Sequence, residues 1–247
     1  MCLCSARTVD GHVICRPINT MPKRTHDEAQ PKLKLYYFDI QGKAEAIRLL
    51  CKYVGLELDD YRFKDRSEFM EMKQNGTLAF GQVPMLEIDG TKKLPQSAAI
   101  LRYLAKMGGI HPEDDFVAAL VDAALDQEAD AFLGPTVASY TTRFGIALDE
   151  AHTAAASKLI GEETMPRHLA ALEALLAQSS TGWLAGTKEP AACDFAWACR
   201  LGQYLPFKDR MFPTPLRELQ DYPKCKAFKE KFFELPEIAA YYKTSAL

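Results

Sequence analysis

The chain lacks an excess of charge of either sign. Thirty lysines and arginines stand against 33 aspartates and glutamates, a formal net charge of −3 with a pI near 6.0. Without a basic surplus there is little to neutralise phosphates, which argues against nucleic acid as a partner. No apolar run approaches the roughly 20 residues that a membrane-crossing helix needs, so no membrane role is expected. The cysteines are few, odd in number and scattered: Cys2, Cys4, Cys15, Cys51, Cys193, Cys199 and Cys225, with no C-x-x-C pair. That pattern excludes a disulfide framework, a zinc knuckle and a dithiol redox centre. The histidines His12, His26, His111, His152 and His168 form no H-E-x-x-H or related ligand spacing, so no metal is expected. Internal repeats and low-complexity tracts are also missing. What is present is ordinary: 247 residues, 48% hydrophobic and 26% charged, enough to bury a core in one large domain or two modest ones. The expectation is a cytoplasmic, reduced-compartment, metal-free protein.

Residues 1–31 show no sustained periodicity, lack the apolar centre of a secretory signal and carry three acids that argue against a transit peptide. A disordered extension is expected there. From Leu33 the signals sharpen. LKLYYF (33–38) predicts a strand, and KAEAIRLLCKYV (43–54) a helix with Ala46, Ile47, Leu50, Cys51 and Val54 on one face. A second strand is expected at 58–63, then a polar helical patch and a third strand over 83–88. Asp89-Gly90 is a hairpin signal, so residues 91–94 should return antiparallel. Gln96-Ser97 opens another helix. The order β-α-β-α-β-β-α predicts a thioredoxin-like layer over 32–107. Beyond a linker near Gly108–Pro112, strand signals vanish. Helices are expected over 116–144, 150–176, 192–205 and 216–233, making 115–247 an all-α domain.

A thioredoxin-like layer presents its reactive group just after the first strand, at a helix mouth whose free N–H groups favour an anion. That place holds Tyr37-Phe38-Asp39-Ile40-Gln41-Gly42, with no cysteine. Cys51 lies well inside the helix and reads as core. A phenol there can donate a hydrogen bond to a thiolate supplied from outside. Tyr36 and Tyr37 occupy opposite faces of the strand, and only the strand's orientation decides between them. Val83-Pro84 at a strand start marks a turn, an edge or a cis bond. Ser97 reads as a helix cap, and the same helix mouth can hold a carboxylate.

Taken together, LYYFDIQGKAEAIRLL (35–50), FGQVPMLEIDG (80–90) and LPQSAAILRYLA (94–105) make the chain resemble the cytosolic glutathione transferases over about residues 33–242. The likeness is greatest to the sigma class, which includes glutathione-dependent prostaglandin D synthases and S-crystallins. Gly182-Trp183-Leu184-Ala185-Gly186 and Asp194-Phe195-Ala196 match the family's turn before a core helix. The resemblance implies that glutathione is the co-substrate, that Tyr37 holds its thiolate and that Lys43 flanks the site. It places Phe69 and Lys73 toward the glycyl carboxylate, and Gln82, Val83 and Pro84 along the cysteinyl portion. Gln96 and Ser97 would take the γ-glutamyl carboxylate. Asp130, with Asp126, would reach the γ-glutamyl amine of the second subunit of a homodimer. Phe38, Gln41, Tyr140, Phe144 and Tyr241 would line the pocket for a hydrophobic electrophile. The chain departs from the pattern in having Phe69 where many relatives have Trp, and Ala191 where the family often has the Ser or Thr of a capping box. The implied activity is addition of glutathione to electrophiles, as in detoxification. The alternatives are a prostaglandin D synthase type of isomerase and a non-catalytic ligand-binding or structural relative.

Overall fold

The computed structural model describes residues 30–205 and 211–244, together with the backbone of two short strands nearer the start of the sequence. Those strands, β1 (Ala6–Val9) and β2 (His12–Cys15), pair antiparallel with Val9 opposite His12. The sequence between them is Asp10-Gly11, the same hairpin dipeptide as Asp89-Gly90. Both strands fall within 1–31, where a disordered extension is expected; up to residue 29 the rest of that stretch lies outside the described residues.

The second compact unit, from Pro31 onward, is built on a four-stranded sheet of order β4-β3-β5-β6. Its strands are β3 (Leu33–Phe38), β4 (Asp59–Phe63), β5 (Met85–Ile88) and β6 (Lys92–Pro95). Helix α1 (Glu45–Tyr53) carries the chain from β3 to its parallel neighbour β4, and α2 (Arg66–Gln74) leads on toward β5. The last two strands join through Asp89 and Gly90, both at positive φ (53° and 68°), as a tight hairpin requires. The Thr91 N–H bonds back to the Ile88 carbonyl at 3.2 Å, so β6 begins at Lys92, one residue later than expected. Helix α3 (Ser97–Met107) closes this thioredoxin-like layer.

Along β3, Leu33, Leu35 and Tyr37 are buried, while Lys34, Tyr36 and Phe38 are only partly so. The inward set joins the core formed with Ala44, Ile47 and Leu50 of the α1 segment and Ile100 and Leu104 of α3. The outward set meets a second aromatic group: Tyr36 lies 5.3 Å from Tyr61, and Phe38 lies 5.5 Å from Phe63 and 5.1 Å from Phe69 of α2. Because strand side chains alternate between faces, this register alone separates the two neighbouring tyrosines.

From α4 (Asp115–Ala131) onward the described residues are helical: α5 (Leu133–Ser139), α6 (Glu150–Leu159), α7 (Met165–Gln178), α8 (Ala192–Cys199), α9 (Thr214–Arg217), α10 (Pro223–Phe233) and α11 (Pro236–Thr244). All four expected helices are shorter or interrupted; the one over 192–205 ends at Cys199 and gives way to a π turn (Arg200–Tyr204). The 116–144 helix breaks at Phe132, because Pro135 cannot donate to the helical ladder. The 150–176 helix is interrupted by a π turn (Ile160–Thr164), in which Met165 N–H bonds to the Ile160 carbonyl. A side chain at Gly161 would meet the Met211 carbonyl oxygen at 2.1 Å, so the close approach there depends on glycine. The 216–233 helix splits around Leu219, which has φ of 56°. Helix α8 is buried throughout and forms the centre of the helical part; its Trp197 indole donates to the Ala124 carbonyl at 2.8 Å. None of the described helices is long and apolar enough to cross a membrane.

Candidate active site

Tyr37 ends the inward row of β3, and the chain turns immediately after it through a short 3₁₀ segment (Gly42–Ala44) into α1. The Tyr37 hydroxyl accepts a hydrogen bond from the Lys43 N–H at 3.1 Å. Gly42 makes this approach possible: at φ of 46° it sits so close that a Cβ would lie 2.6 Å from the Tyr37 oxygen. Burial raises the phenol above its ordinary pKa, while the Lys43 N–H, Arg200 and Arg48 pull the other way and do not overcome it. At neutral pH Tyr37 is therefore a protonated donor at a helix mouth.

The turn itself is held by Arg48, which is almost wholly buried on α1. Its Nη1 donates to the carbonyls of Ile40 (3.0 Å) and Gln41 (3.3 Å) and to the Glu45 carboxylate (3.0 Å); its Nε reaches both oxygens of Asp60 at 3.0 Å. The guanidinium carbon stands 6.0 Å from the centre of the Tyr37 ring. Glu45 in turn accepts from the Tyr242 hydroxyl of α11 at 2.9 Å, and Tyr242 accepts from Gln203 at 3.2 Å. The four described cysteines are all buried, and burial pushes the Cys51 thiol up to about 12, so none of them is poised as a nucleophile.

The other residues singled out in the sequence fall into three groups. The first lies along the open end of the sheet. The Val83–Pro84 peptide is cis and immediately precedes β5. The Lys73 stem lies over Gly81, where a Cβ would come within 3.1 Å of it, so Lys73 stands beside the exposed Gln82. Gln96 caps α3 at φ of 73° and ψ of 116° with no hydrogen bond from its own side chain, a conformation costly for any residue but glycine. Ser97 follows as the first helical residue, half-buried.

The second group comes from the helical part. Tyr140 and Phe144 are exposed after α5, and the Tyr140 phenol bears electrostatically on Tyr37. Arg200 lies in a π turn (Arg200–Tyr204) directly after α8 and pairs with Glu128 of α4. Desolvation, Arg200 and Arg143 lower the Lys43 ammonium below its usual pKa, and Glu128 opposes them. Asp126 and Asp130 are exposed on α4, with Asp126 accepting from Arg102 of α3 at 3.1 Å.

The third group makes other contacts. Phe38 and Phe69 pack against one another on the opposite face of the sheet, which gives both a structural place under α2. Gln41 contributes its main-chain carbonyl to Arg48, with its side chain half-exposed. Tyr241 lines a separate cleft of about 290 Å³ with Arg48, Cys51, Lys52, Asp60 and Arg62, a cleft that Tyr37 does not line. Sequence reasoning missed Gly42 as a packing requirement, and it missed Glu45, Arg48, Glu128 and Arg200. The available signal was a charged residue set into an otherwise apolar helical run, as in AEAIRLL and CDFAWACRL.

A model of the glutathione S-transferase N-terminal domain matches residues 33–106, and one of the C-terminal domain matches residues 138–245. Glutathione S-transferase A1 of Bos taurus is 30% identical over 210 residues, covering 85% of this chain and 87% of that one. Hematopoietic prostaglandin D synthase of Gallus gallus is 30% identical over 213 residues, covering 85% and 95%. Among solved structures, prostaglandin synthase D of Nilaparvata lugens superposes with a TM-score of 0.74 at 26% identity, over 88% of this chain and all of that one. The chain belongs to the glutathione S-transferase family of enzymes.

Proposed function

We propose that the chain activates glutathione through Tyr37 and adds it to electrophilic small molecules. The observation that carries this reading is the buried, protonated Tyr37 hydroxyl at the mouth of α1, fixed by the Lys43 N–H at 3.1 Å. Free glutathione is mostly thiol at neutral pH, with a pKa near that of cysteine, about 8.5. Lowering it by one to two units takes roughly 1.4 to 2.7 kcal/mol of preferential anion stabilisation, within reach of one charge-assisted hydrogen bond and a helix mouth. The thiol proton leaves to solvent and the Tyr37 O–H donates to the sulfur anion. The sulfur then forms a C–S bond with the electrophilic carbon, from which a leaving group departs or to which solvent returns a proton.

Within this proposal, residues 32–107 bind the tripeptide and 115–247 supply the electrophile side. Lys73 takes the glycyl carboxylate, Gln82 and the Val83 main chain take the cysteinyl portion, and Gln96 and Ser97 take the γ-glutamyl carboxylate. The left-handed Gln96 supports this, since strained backbone tends to sit at binding positions. Phe69 offers no N–H, so glycyl recognition rests on Lys73. Tyr140 and Phe144 face the electrophile. A sigma-class assignment, a cytoplasmic location and a homodimer, with Asp130 and Asp126 reaching the partner's glutathione, belong to the same proposal.

The test is the ultraviolet thiolate absorbance of bound glutathione against pH, in wild type and Tyr37→Phe. A titration well below that of free glutathione, lost in the variant, is expected. Binding without a thiolate signal would indicate a carrier or structural relative. A second reading, glutathione-dependent isomerisation of a prostaglandin endoperoxide, draws on the likeness to the Gallus gallus and Nilaparvata lugens proteins named for that synthesis. Incubation with the endoperoxide and glutathione, followed by product analysis, separates the two.

A further inference from the structure

The last described helix, α11, reaches back to the start of α1 through one side chain. The Tyr242 hydroxyl donates to Glu45 Oε1 at 2.9 Å, across 197 positions of sequence. The ring is steadied by two aromatic neighbours, Phe233 at 5.8 Å and Tyr241 at 5.2 Å between centres. Its oxygen accepts from Gln203 Nε2 at 3.2 Å, while its one proton goes to the carboxylate. Glu45 is 1% exposed and Arg48 3%, and in so dry a place each carboxylate oxygen needs a donor. Oε2 takes Arg48 Nη1 at 3.0 Å, and Tyr242 serves Oε1.

The Arg48 nitrogen that meets Glu45 also donates to the carbonyls of Ile40 at 3.0 Å and Gln41 at 3.3 Å. The Glu45 N–H donates to the Gln41 carbonyl at 3.0 Å as well. Glu45 is thus tied to the turn after β3 twice, by its own backbone and through Arg48. Two residues beyond Gln41, the Lys43 N–H meets the Tyr37 oxygen at 3.1 Å. That bond occupies a lone pair of the phenol and leaves its O–H free to point at a bound sulfur. An unbroken run of hydrogen bonds therefore leads from α11, through Glu45 and Arg48, to the turn that orients Tyr37. A misplacement of an ångström at a reacting group can cost a hundredfold in rate, so what holds this turn matters to the chemistry.

We propose that Tyr242 is a positioning residue: its hydroxyl clamps Glu45 and Arg48, so that the turn after β3 presents the Lys43 N–H to Tyr37 and leaves the phenol aimed at the glutathione sulfur. This rests on the Tyr37 reading above and goes beyond it by giving α11 a part in thiolate formation. The clamp acts through geometry, since removing the Tyr242 hydroxyl changes no charge.

The experiment compares Tyr242→Phe with Tyr222→Phe in the full chain. The Tyr222 hydroxyl donates to the Pro166 carbonyl at 3.2 Å, a bond between two segments of the helical part. Both variants remove a hydroxyl without changing charge, so both should lose stability in urea. Only Tyr242→Phe should raise the apparent pKa of bound glutathione, by about half a unit, a roughly threefold loss of thiolate below that pKa. Its kcat should fall with the thiolate while KM for glutathione holds. Without glutathione, hydrogen exchange at the Lys43 N–H should be faster in Tyr242→Phe and unchanged in Tyr222→Phe. A titration that Tyr242→Phe moves no further than Tyr222→Phe does, or an unchanged exchange rate at Lys43, overturns the proposal. If circular dichroism shows that Tyr242→Phe does not fold, Gln203→Met carries the test. It frees the Tyr242 oxygen from its second partner and should move exchange and titration the same way, by less; no movement there is the overturning result. A wild type with no thiolate signal removes the Tyr37 reading and this inference with it, whereas a wild-type signal that Tyr242→Phe leaves in place overturns this inference alone.

Discussion

Gly42 and Gln96 show how much of the site rests on backbone geometry at single residues. Gly42 combines φ of 46° with an approach that leaves 2.6 Å between a would-be Cβ and the Tyr37 oxygen. Gly42→Ala should therefore cost about 1–2 kcal/mol of stability and displace the phenol, lowering kcat roughly tenfold or more. Urea unfolding and steady-state kinetics check both parts. Gln96 is the reverse case, since its φ of 73° suits glycine better than glutamine. Gln96→Gly should raise stability by about 1 kcal/mol and at the same time raise KM for glutathione. A variant that binds glutathione as before would remove the side-chain amide from the site. Tyr37→Phe keeps the ring in the core and removes only the donor, so its effect should fall on kcat and not on folding.

At the scale of elements, α8 depends on an acid with nowhere to go. Asp194 is fully buried, and its two oxygens accept the N–H groups of Leu184 (2.9 Å) and Ala191 (2.7 Å). Ala191 has no side-chain oxygen to answer with, so only half of a capping box is present. Burial raises the carboxyl to about 7, against the pull of those two N–H groups and of Lys231. In the unfolded chain the same group titrates near 3.9. The folded state thus holds a proton that the unfolded state has released between about pH 4 and 7. The stabilisation is complete below about pH 4, declines as pH rises toward 7 and is gone above it. Asp194→Asn should be destabilised at every pH, because one amide oxygen cannot serve two N–H groups. The variant should also lose this part of the slope of the urea midpoint against pH. A wild-type-minus-variant difference that is flat from pH 4 to 7 would mean that Asp194 stays ionised in the fold.

At the scale of the whole molecule, the proposal requires a second copy. In it Asp130, exposed on α4, would reach glutathione across a subunit interface. Light scattering should give twice the 27.6 kDa chain mass. Asp130→Ala should then raise KM for glutathione about five- to tenfold, the scale of one lost charge-assisted hydrogen bond, with kcat nearly unchanged. A monomeric mass would end the inter-subunit role of Asp130 while leaving the Tyr37 chemistry standing.

What the sequence determined by itself was local. The strand LKLYYF, the Asp89-Gly90 hairpin and the helix opened by Gln96-Ser97 follow from neighbours within a few residues, and all three stand in the structure within a residue or two. The family motifs brought Tyr37 forward, and Lys73, Gln82, Gln96 and Ser97 with it, because their spacing along the chain is itself the signal. Three things needed the tertiary structure. Strand register put Tyr37 on the inner face with Leu33 and Leu35, turning Tyr36 and Phe38 toward α2. Packing broke the long helices, at Phe132 and at the π turn where Gly161 meets Met211. Folding of the helical part set Tyr241 in a cleft with Arg48 and Asp60 and paired Arg200 with Glu128 of α4. The physical reason is common to all three. Propensities and turn chemistry act between residues adjacent in the chain, whereas burial and electrostatics act between groups that only the completed fold brings together.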